Sequence, residues 1–207
     1  MNTQPEHFEA LALLQQAVFP SIPAEELFTV EMYNQHVKHF PEGQFTALAV
    51  TPSGSVIVGA TTTMRTNERF DGDDHPYYFD FIGRGTISTS DPNGEWLYGI
   101  DVGVHPDYRR MGIASRLYAA RADLARRLNL RGEIVAGLLP GYPRYRDQMS
   151  VEAYAQQVAV GALNDPTLSA QLNVGFRFRK LLRNYVTDAR SDNLVTLIVR
   201  ANPDYRA

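Results

Sequence analysis

The sequence predicts a mixed α/β (α+β) fold in which a strand, a helix and a second strand form one parallel βαβ unit. Trp96–Val104 and Glu133–Leu138 have the composition of strands, and a helix with one apolar face begins at about Ile113 between them. A crossover of this length places the two strands parallel in one sheet. A basic, glycine-containing loop follows the first strand, at the edge where open α/β sheets bind their ligands.

The composition is that of an ordinary globular protein without cysteine. The 207 residues are 44% hydrophobic and 21% charged, which suits a single domain over 1–207 with a buried core. A net charge of −3 gives no overall attraction to nucleic acid or to an anionic membrane. The absence of cysteine excludes a cysteine nucleophile, a thiolate metal site and disulfides. With no signal segment and no long apolar run, we expect a cytoplasmic protein without membrane contact.

Two helices are predicted at the N-terminus. Apolar residues at helical spacing predict the first over Glu6–Val18, and a second is expected to begin after Pro23 and to end near His39. His36 and His39 lie three residues apart on the second helix. We interpret them as surface histidines because no further metal ligand occurs at a useful spacing.

A hairpin is predicted next, with its second arm lengthened by an insertion. Phe45–Thr51 and Ser55–Arg65 are rich in β-branched residues, and the turn signal at 52–54 joins them. The insertion at about 67–95 carries an acidic turn and several aromatic residues. These aromatic residues are expected to extend the hairpin arm, to line an acceptor site or to form a subunit contact.

The C-terminal part is predicted to return to helices and strands after a second insertion, at about 140–165. The expected elements are two short helices and a final pair of strands, at Ser150–Val160, Pro166–Val174, Gly175–Val186 and Asn193–Arg200.

Alternation along the central strand points to Asp101. Leu97, Gly99, Asp101 and Gly103 share one face of a regular strand, so the acid has open space beside it. That space either admits a substrate and raises the pKa of Asp101 toward that of a base, or it admits a closely packed helix with Asp101 held by buried hydrogen bonds. A bulge in this strand would instead bring Tyr98 to the substrate.

The loop after this strand has the features of an anion site. It reads Val104-His105-Pro106-Asp107-Tyr108-Arg109-Arg110-Met111-Gly112-Ile113-Ala114-Ser115. Small residues let the main chain approach a ligand, and amides at the start of a helix favour negative charge. The later arginines of the helix, Arg116, Arg121, Arg126, Arg127 and Arg131, are interpreted as a solvated face rather than a nucleic-acid surface.

This loop resembles the acyl-CoA-binding signature of the GNAT superfamily of N-acyltransferases, Val-x-Pro-x-Tyr-Arg-x-x-Gly-x-Gly/Ala. The resemblance implies a GNAT fold, with a mixed central sheet of about six to seven strands, and acetyl-CoA or another acyl-CoA as co-substrate. It also implies that the pyrophosphate lies among loop residues and that the central strand contacts the cofactor. The implied cofactor-binding positions are Arg109, Arg110, Met111, Gly112, Ile113, Ala114 and Ser115 in the loop, and Val102, Gly103 and Val104 in the strand.

The distal half resembles the same family with one departure. Asn164 and Gly175-Phe176 match, which implies that Asn164 and Gln171 lie near the cofactor, but Gln171 stands where the family commonly has a tyrosine. That tyrosine protonates the departing thiolate, which a glutamine amide cannot do. The remaining candidates for this acid are water and the hydroxyls of Ser169, Tyr142, Tyr145 and Tyr154.

Acyl transfer to an amine is the function that this resemblance implies. Asp101, or alternatively Tyr98, takes a proton from the amine of a small molecule or peptide, which attacks the thioester directly without a metal. The alternative is a regulatory module that binds acyl-CoA with little turnover. Trp96-Leu97-Tyr98-Gly99 and Pro140-Gly141-Tyr142 further resemble GNAT domains fused to carbon-nitrogen hydrolases, which suggests such a hydrolase as a separate partner. A homodimer is a further expectation.

Overall fold

Helices and strands alternate along the chain, and the strands form two sheets. The computed structural model describes residues 1–52, 54–72 and 74–207, so position 53 of the predicted turn lies outside the described residues. The strands are β1 Phe45–Thr51, β2 Gly54–Thr61, β3 Thr63–Thr66, β4 Trp96–Gly99, β5 Gly103–Val104, β6 Gly132–Gly137, β7 Arg177–Arg183 and β8 Leu194–Ala201. The α-helices are α1 Phe8–Val18, α2 Val30–His39, α3 Tyr78–Phe81, α4 Ile113–Arg127, α5 Val151–Ala159 and α6 Leu168–Asn173. Single turns of 3-10 helix lie at Pro5–His7, Ala24–Glu26, Pro41–Gly43, Pro106–Tyr108, Tyr142–Arg144 and Ala189–Ser191.

The predicted fold class is confirmed, but the single sheet that we expected is divided. One sheet has the order β1-β2-β5 and the other the order β3-β4-β6-β8-β7. The division arises because two of the strands predicted from the sequence are interrupted. Each of them contributes one segment to each sheet. The first is interrupted at Thr62, between β2 and β3, and the second at 100–102, between β4 and β5.

The parallel βαβ unit is confirmed. β4 pairs in parallel with β6 from Trp96 opposite Gly132 to Gly99 opposite Val135. α4 connects the two strands, and the apolar stripe predicted from its sequence faces the core, with Leu117 and Leu124 buried. The sheet and the loop at the start of α4 are therefore held in one rigid unit.

A buried ion cluster lies between α4 and the five-stranded sheet. Arg121 donates from Nε to Glu133 Oε2 at 2.9 Å, and both side chains are 1% exposed. Arg200 on β8 donates to the other carboxylate oxygen, with its Nε 3.0 Å from Glu133 Oε1. The interpretation of the α4 arginines as a solvated face is therefore wrong for Arg121, which occupies a position on the core side of the helix.

The second helix begins later than predicted. Thr29 caps α2 by accepting a hydrogen bond from the Met32 amide at 3.3 Å, whereas the two acids after Pro23 form a separate turn of 3-10 helix. The interpretation of His36 as a surface residue is wrong. Its Nε2 lies 2.6 Å from the Gly85 carbonyl, and burial lowers the pKa of His36 to about 4. No group of three metal-ligating side chains occurs in the described part of the chain.

The two insertions form packed structure. The first, expected to extend a hairpin arm, instead contains α3 and adds Phe70, Phe79, Ile82 and Ile87 to the main core. The second contains α5, close to the predicted Ser150–Val160, whose apolar face forms a smaller core with Tyr142. The aromatic residues of the first insertion thus cover the five-stranded sheet.

The last elements occur in the predicted order, but two of them are shorter than expected. α6 begins only at Leu168, because the buried carboxylate of Asp165 accepts the amides of Thr167 and Leu168 at 2.8 and 2.9 Å. β7 ends at Arg183 rather than Val186. Among the described residues, no helix is long and apolar enough to cross a membrane.

The buried ion cluster leads to a prediction for stability. Glu133→Gln leaves the buried guanidinium of Arg121 and the partly buried one of Arg200 without their shared carboxylate, so the free energy of unfolding should fall by about 3–5 kcal/mol in urea denaturation. The matched control is Glu95→Gln, which breaks the exposed ion pair with Arg131 at 2.7 Å and should leave the free energy of unfolding nearly unchanged, because solvent screens this pair. Equal effects of the two changes would show that the buried cluster does not stabilise the fold.

Candidate functional site

The site lies where the two parallel strands separate. Pairing of β4 with β6 ends at Gly99 and Val135, and beyond this point β5 joins the other sheet. A cavity of about 210 Å³ occupies the opening and extends to the turn after α1 and to α6. Its lining includes main chain and side chains from both separated segments, at 99–102 and 135–138.

Asp101 lies in this opening and is held from two sides. Its Oδ2 accepts from Nε2 of Gln15 on α1 at 2.7 Å, and its Oδ1 accepts from the amide of Thr62 at 2.7 Å. Burial raises the pKa of Asp101 to about 6, although both hydrogen bonds oppose this shift. Asp101 thus has part-buried hydrogen bonds and also lines the cavity, so its role as a base stays a prediction.

Tyr98 lies on the other side of the strand. Its side chain is fully buried against Phe70 and Phe81, and its hydroxyl is 2.7 Å from that of Tyr185. Burial raises the pKa of Tyr98, and its side chain does not line the cavity. The interruption after Gly99 therefore does not turn Tyr98 toward the opening.

The open face expected beside Asp101 is occupied on both sides. An added Cβ at Gly99 would collide with the Arg121 guanidinium, and one at Gly103 would come within 3.3 Å of Val18. The two glycines therefore face different helices, α4 and α1, so the prediction of a common open face is wrong. The break at 100–102 is the reason, because the two glycines belong to different sheets.

Tyr118 and Gln171 form another wall of the cavity. Both side chains are buried and both line the cavity, and Gln171 lies beside the Tyr118 hydroxyl. Burial raises the pKa of Tyr118, whereas the charge of Arg121 and the Gln171 amide lower it. Gln171 Oε1 is buried and has no hydrogen-bond partner in the described part of the chain, so it can accept a hydrogen bond from a ligand.

The other residues carried over from the distal half lie away from the cavity. Asn164 is exposed, four residues before α6 begins, and does not line the cavity. Ser169 Oγ accepts the Asp165 amide at 3.0 Å, and the Tyr154 hydroxyl donates to Asp165 Oδ2 at 3.0 Å. Tyr142 and Tyr145 pack against Tyr154, so none of the hydroxyls proposed from sequence as the acid reaches the cavity.

The glycine-containing loop forms an exposed turn leading into α4. Gly112 has φ +75°, and no atom lies within 4 Å of where its Cβ would be. Arg110 also has a positive φ, of 63°, so the loop places two left-handed residues close together. Arg116 is the first residue of α4 whose amide reaches a backbone carbonyl, that of Gly112 at 3.1 Å. The amides of Ile113, Ala114 and Ser115 are thus free for a ligand, as at any helix start.

The side chains around this loop leave it accessible. Arg109, Arg110, Met111 and Ser115 are exposed, and Ile113 and Ala114 are partly buried. Arg109 Nε donates to the Val104 carbonyl at 3.3 Å, which fixes the turn against the strand that precedes it. The rise of an α-helix places Tyr118 roughly 8 Å along the axis from Ile113, so the first turns of α4 connect the loop with the cavity.

Sequence reasoning missed four residues of the site. Gln15 and Thr62 hold Asp101, while Tyr118 and Arg121 form the wall on α4. A spacing of three residues places Tyr118 and Arg121 on one helix face, and Arg121 interrupts the apolar face of the helix there. That spacing was the feature of the sequence from which the wall on α4 could have been predicted. Gln15 gives none, because its partner is 86 residues away.

Comparison with known proteins identifies the family. Residues 61–140 match the sequence model of the Acetyltransferase (GNAT) family. The chain is also 31% identical over 199 residues to the uncharacterized N-acetyltransferase YkwB of Bacillus subtilis (strain 168), covering 96% of this chain and 86% of that protein. The chain belongs to the GNAT family. The similarity to the GNAT signature that we noted in the loop is therefore confirmed at the level of the family.

A second relative of this GNAT chain is longer. The probable hydrolase YhcX of Bacillus subtilis (strain 168) is 38% identical over 206 residues. The match covers 99% of this chain and 38% of that protein, so the chain spans well under half the length of this relative.

Solved structures support the GNAT fold. The loading GNATL domain of CurA from Lyngbya majuscula superposes with a TM-score of 0.80 at 19% identity, covering 98% of this chain and 96% of that chain. The GphF GNAT-like decarboxylase in complex with isobutyryl-CoA gives a TM-score of 0.78 at 22% identity, with 98% of each chain covered. At these identities the comparison establishes the fold and leaves the reaction to be argued from the site.

Proposed function

We propose that the protein transfers an acyl group, acetyl in the first instance, from acyl-CoA to an amine. The observation that carries this proposal is the position of Asp101 in a cavity between two separated strands, joined through the first turns of α4 to a loop with free amides. Loop amides and the helix dipole favour a pyrophosphate, and the gap between parallel strands can accept an extended chain in place of a missing strand. The cavity is then the place where thioester and acceptor meet.

Asp101 is the proposed base. With a pKa of about 6, the Asp101 carboxylate is ionised at neutral pH. It is also a stronger base than an exposed aspartate, so its pKa lies closer to that of the ammonium group from which it takes the proton. Gln15 and Thr62 each donate one hydrogen bond to it, which leaves further lone pairs free for the proton of the acceptor. Tyr98 is less suited, since its side chain is fully buried, is hydrogen-bonded to Tyr185 and does not itself line the cavity.

Main-chain amides at the strand interruption are the proposed electrophilic group. Ile100 donates its amide to the Thr62 carbonyl at 3.0 Å, whereas the amide of Val102 makes no backbone hydrogen bond within the described part of the chain. A free amide fixed beside a cavity can stabilise the negative charge that develops on a thioester oxygen. Val102 is therefore proposed to polarise the acyl carbonyl, with Gly103 and Val104 continuing into the loop.

Tyr118 is the proposed acid for the departing thiolate. It lines the cavity next to Gln171, the position where the family commonly has tyrosine, and its hydroxyl can give up a proton that the glutamine amide cannot. In this proposal a tyrosine on α4 takes the role that α6 has lost. Gln171 then binds rather than protonates the ligand.

An acyl-CoA-binding module with little turnover is the second candidate. Gln171 favours it, because the residue removes the family's usual acid from the site. Release of free CoA thiol from acetyl-CoA in the presence of an amine panel separates the two functions. Binding without thiol release above the uncatalysed rate would support the module and contradict the transferase.

The loop proposal is tested by Gly112→Glu. A glutamate here is strained by the positive φ and places a negative charge where the pyrophosphate binds, so affinity for acetyl-CoA should fall roughly tenfold or more in titration calorimetry. Gly161→Glu is the matched control, because Gly161 also has a positive φ, of 78°, with no atom near its Cβ, and lies away from the loop. If both variants bind acetyl-CoA as the unchanged protein does, the pyrophosphate lies elsewhere.

The base is tested by Asp101→Asn. The substitution keeps the shape and removes the proton acceptor, so the rate of acyl transfer should fall by roughly 10²–10⁴ while the Kd for acetyl-CoA stays nearly constant. In the unchanged protein, kcat/KM should fall as the pH drops through about 6, because Asp101 then becomes protonated. The variant should lose this dependence. A rate close to that of the unchanged protein would make Asp101 a structural residue only.

The acid is tested by Tyr118→Phe. Loss of the hydroxyl should lower kcat roughly 10²-fold with little change in the Kd for acetyl-CoA, since the ring and its packing remain. Tyr145→Phe is the control, because this tyrosine packs on Tyr154 at 5.2 Å and does not line the cavity. A larger loss of turnover in Tyr145→Phe than in Tyr118→Phe would assign the proton to the second insertion instead.

A further inference from the structure

The guanidinium of Arg121 lacks acceptors. An arginine side chain has five N–H groups, yet Arg121 makes a single hydrogen bond among the described residues, from Nε to Glu133. Its Nη2 is buried and has no hydrogen-bond partner among the residues that the structure describes, and the side chain is 1% exposed. A buried charged donor without an acceptor is costly, so the remaining N–H groups point to a ligand that supplies one.

The two carboxylates near Arg121, those of Glu133 and Asp101, already accept hydrogen bonds from other residues. Glu133 is shared between Arg121 and Arg200, so this cluster of three charged side chains carries one net positive charge. Asp101 accepts from Gln15 and Thr62, and no hydrogen bond joins it to Arg121 within the described residues. Asp101 therefore interacts with Arg121 only through space, where the charge of Arg121 lowers the pKa of Asp101, and the other N–H groups of Arg121 have no acceptor among the described residues.

The cavity gives a ligand access to this charge. Arg121 lines it together with Gly99, Asp101, Tyr118 and Gln171. The absence of a side chain at Gly99 is what makes room for the guanidinium, since a Cβ there would occupy its place. The face of the Tyr118 ring, 5.3 Å from Arg121 Cζ, holds the guanidinium from the other side.

We propose that Arg121 binds a carboxylate of the ligand that fills this cavity. The inference rests on the proposed function and adds a substrate class to it. A neutral carbonyl would accept a hydrogen bond from Arg121 but would leave its positive charge unpaired. A carboxylate accepts the hydrogen bond and pairs the charge, and it can accept two parallel hydrogen bonds from a guanidinium. The carboxylate belongs either to the acyl group, as in malonyl-CoA, or to the acceptor, as in an amino acid.

The acyl source is tested by calorimetry with malonyl-CoA and acetoacetyl-CoA, which differ by a carboxylate oxygen in place of a methyl group. If the acyl group carries the carboxylate, the protein binds malonyl-CoA roughly tenfold to a hundredfold more tightly. Arg121→Met should abolish this preference, and Gly99→Ala should reduce it by displacing the guanidinium. Glu133 keeps Arg200 as a partner in Arg121→Met. Arg127→Met, an exposed arginine of the same helix outside the cavity, should keep the preference.

The acceptor source is tested by thiol release from acetyl-CoA with amino acids and with their carboxamides. If the acceptor carries the carboxylate, the amino acid has a kcat/KM at least roughly tenfold above that of its amide, and Arg121→Met removes the difference. Equal treatment of both pairs by the unchanged protein overturns the inference, even if Arg121→Met fails to fold. Failure of CoA and of every acyl-CoA to bind would instead overturn the proposed function.

Discussion

The separation of β4 from β6 is the constraint on which the rest of the structure depends. Two parallel strands pair over four residues and then diverge, because the chain at 100–102 leaves one sheet and enters the other. Backbone groups that would have paired become available to a ligand, and the gap between the strands becomes a cavity. The site of Asp101 and the free amide of Val102 both follow from this break, and the matching interruption at Thr62 completes the division into two sheets.

The charged side chains around the cavity are only partly compensated by the protein, which favours ligand binding. Asp101 has a raised pKa because burial outweighs the hydrogen bonds from Gln15 and Thr62. Arg121, on the facing helix, has less than a full set of acceptors. Asp101 and Arg121 thus line one cavity, and the buried charge of each is unfavourable without a ligand. A substrate ammonium group would stabilise the Asp101 carboxylate, and a substrate carboxylate would stabilise the Arg121 guanidinium. The site therefore carries unfavourable electrostatics that its fold must offset elsewhere.

Packing of the two insertions offsets the unfavourable electrostatics of the site. The aromatic residues of the first insertion cover the sheet on the side of Tyr98, and Asp165 and Tyr154 connect the second insertion to the start of α6. These contacts fix α6, and with it Gln171, against the cavity. Both insertions thus support the walls of the site, and Tyr78 of the first insertion lines the cavity.

By itself, the sequence determined the elements and the loop. Periodicity placed α1, α4 and α5 within a few residues, since the buried stripe of a helix is a local pattern, and the small residues of the loop marked the turn that opens α4. Only the tertiary structure decided the roles of Asp101, Arg121 and Tyr98. Strand alternation placed Gly99 and Gly103 on one open face, but the break at 100–102 sent them toward different helices. Gln15 meets Asp101 across 86 residues, and Arg121 is buried because Glu133 and Gly99 receive it. Such contacts join segments distant in the chain, and no local pattern of residue types specifies which distant partners will meet.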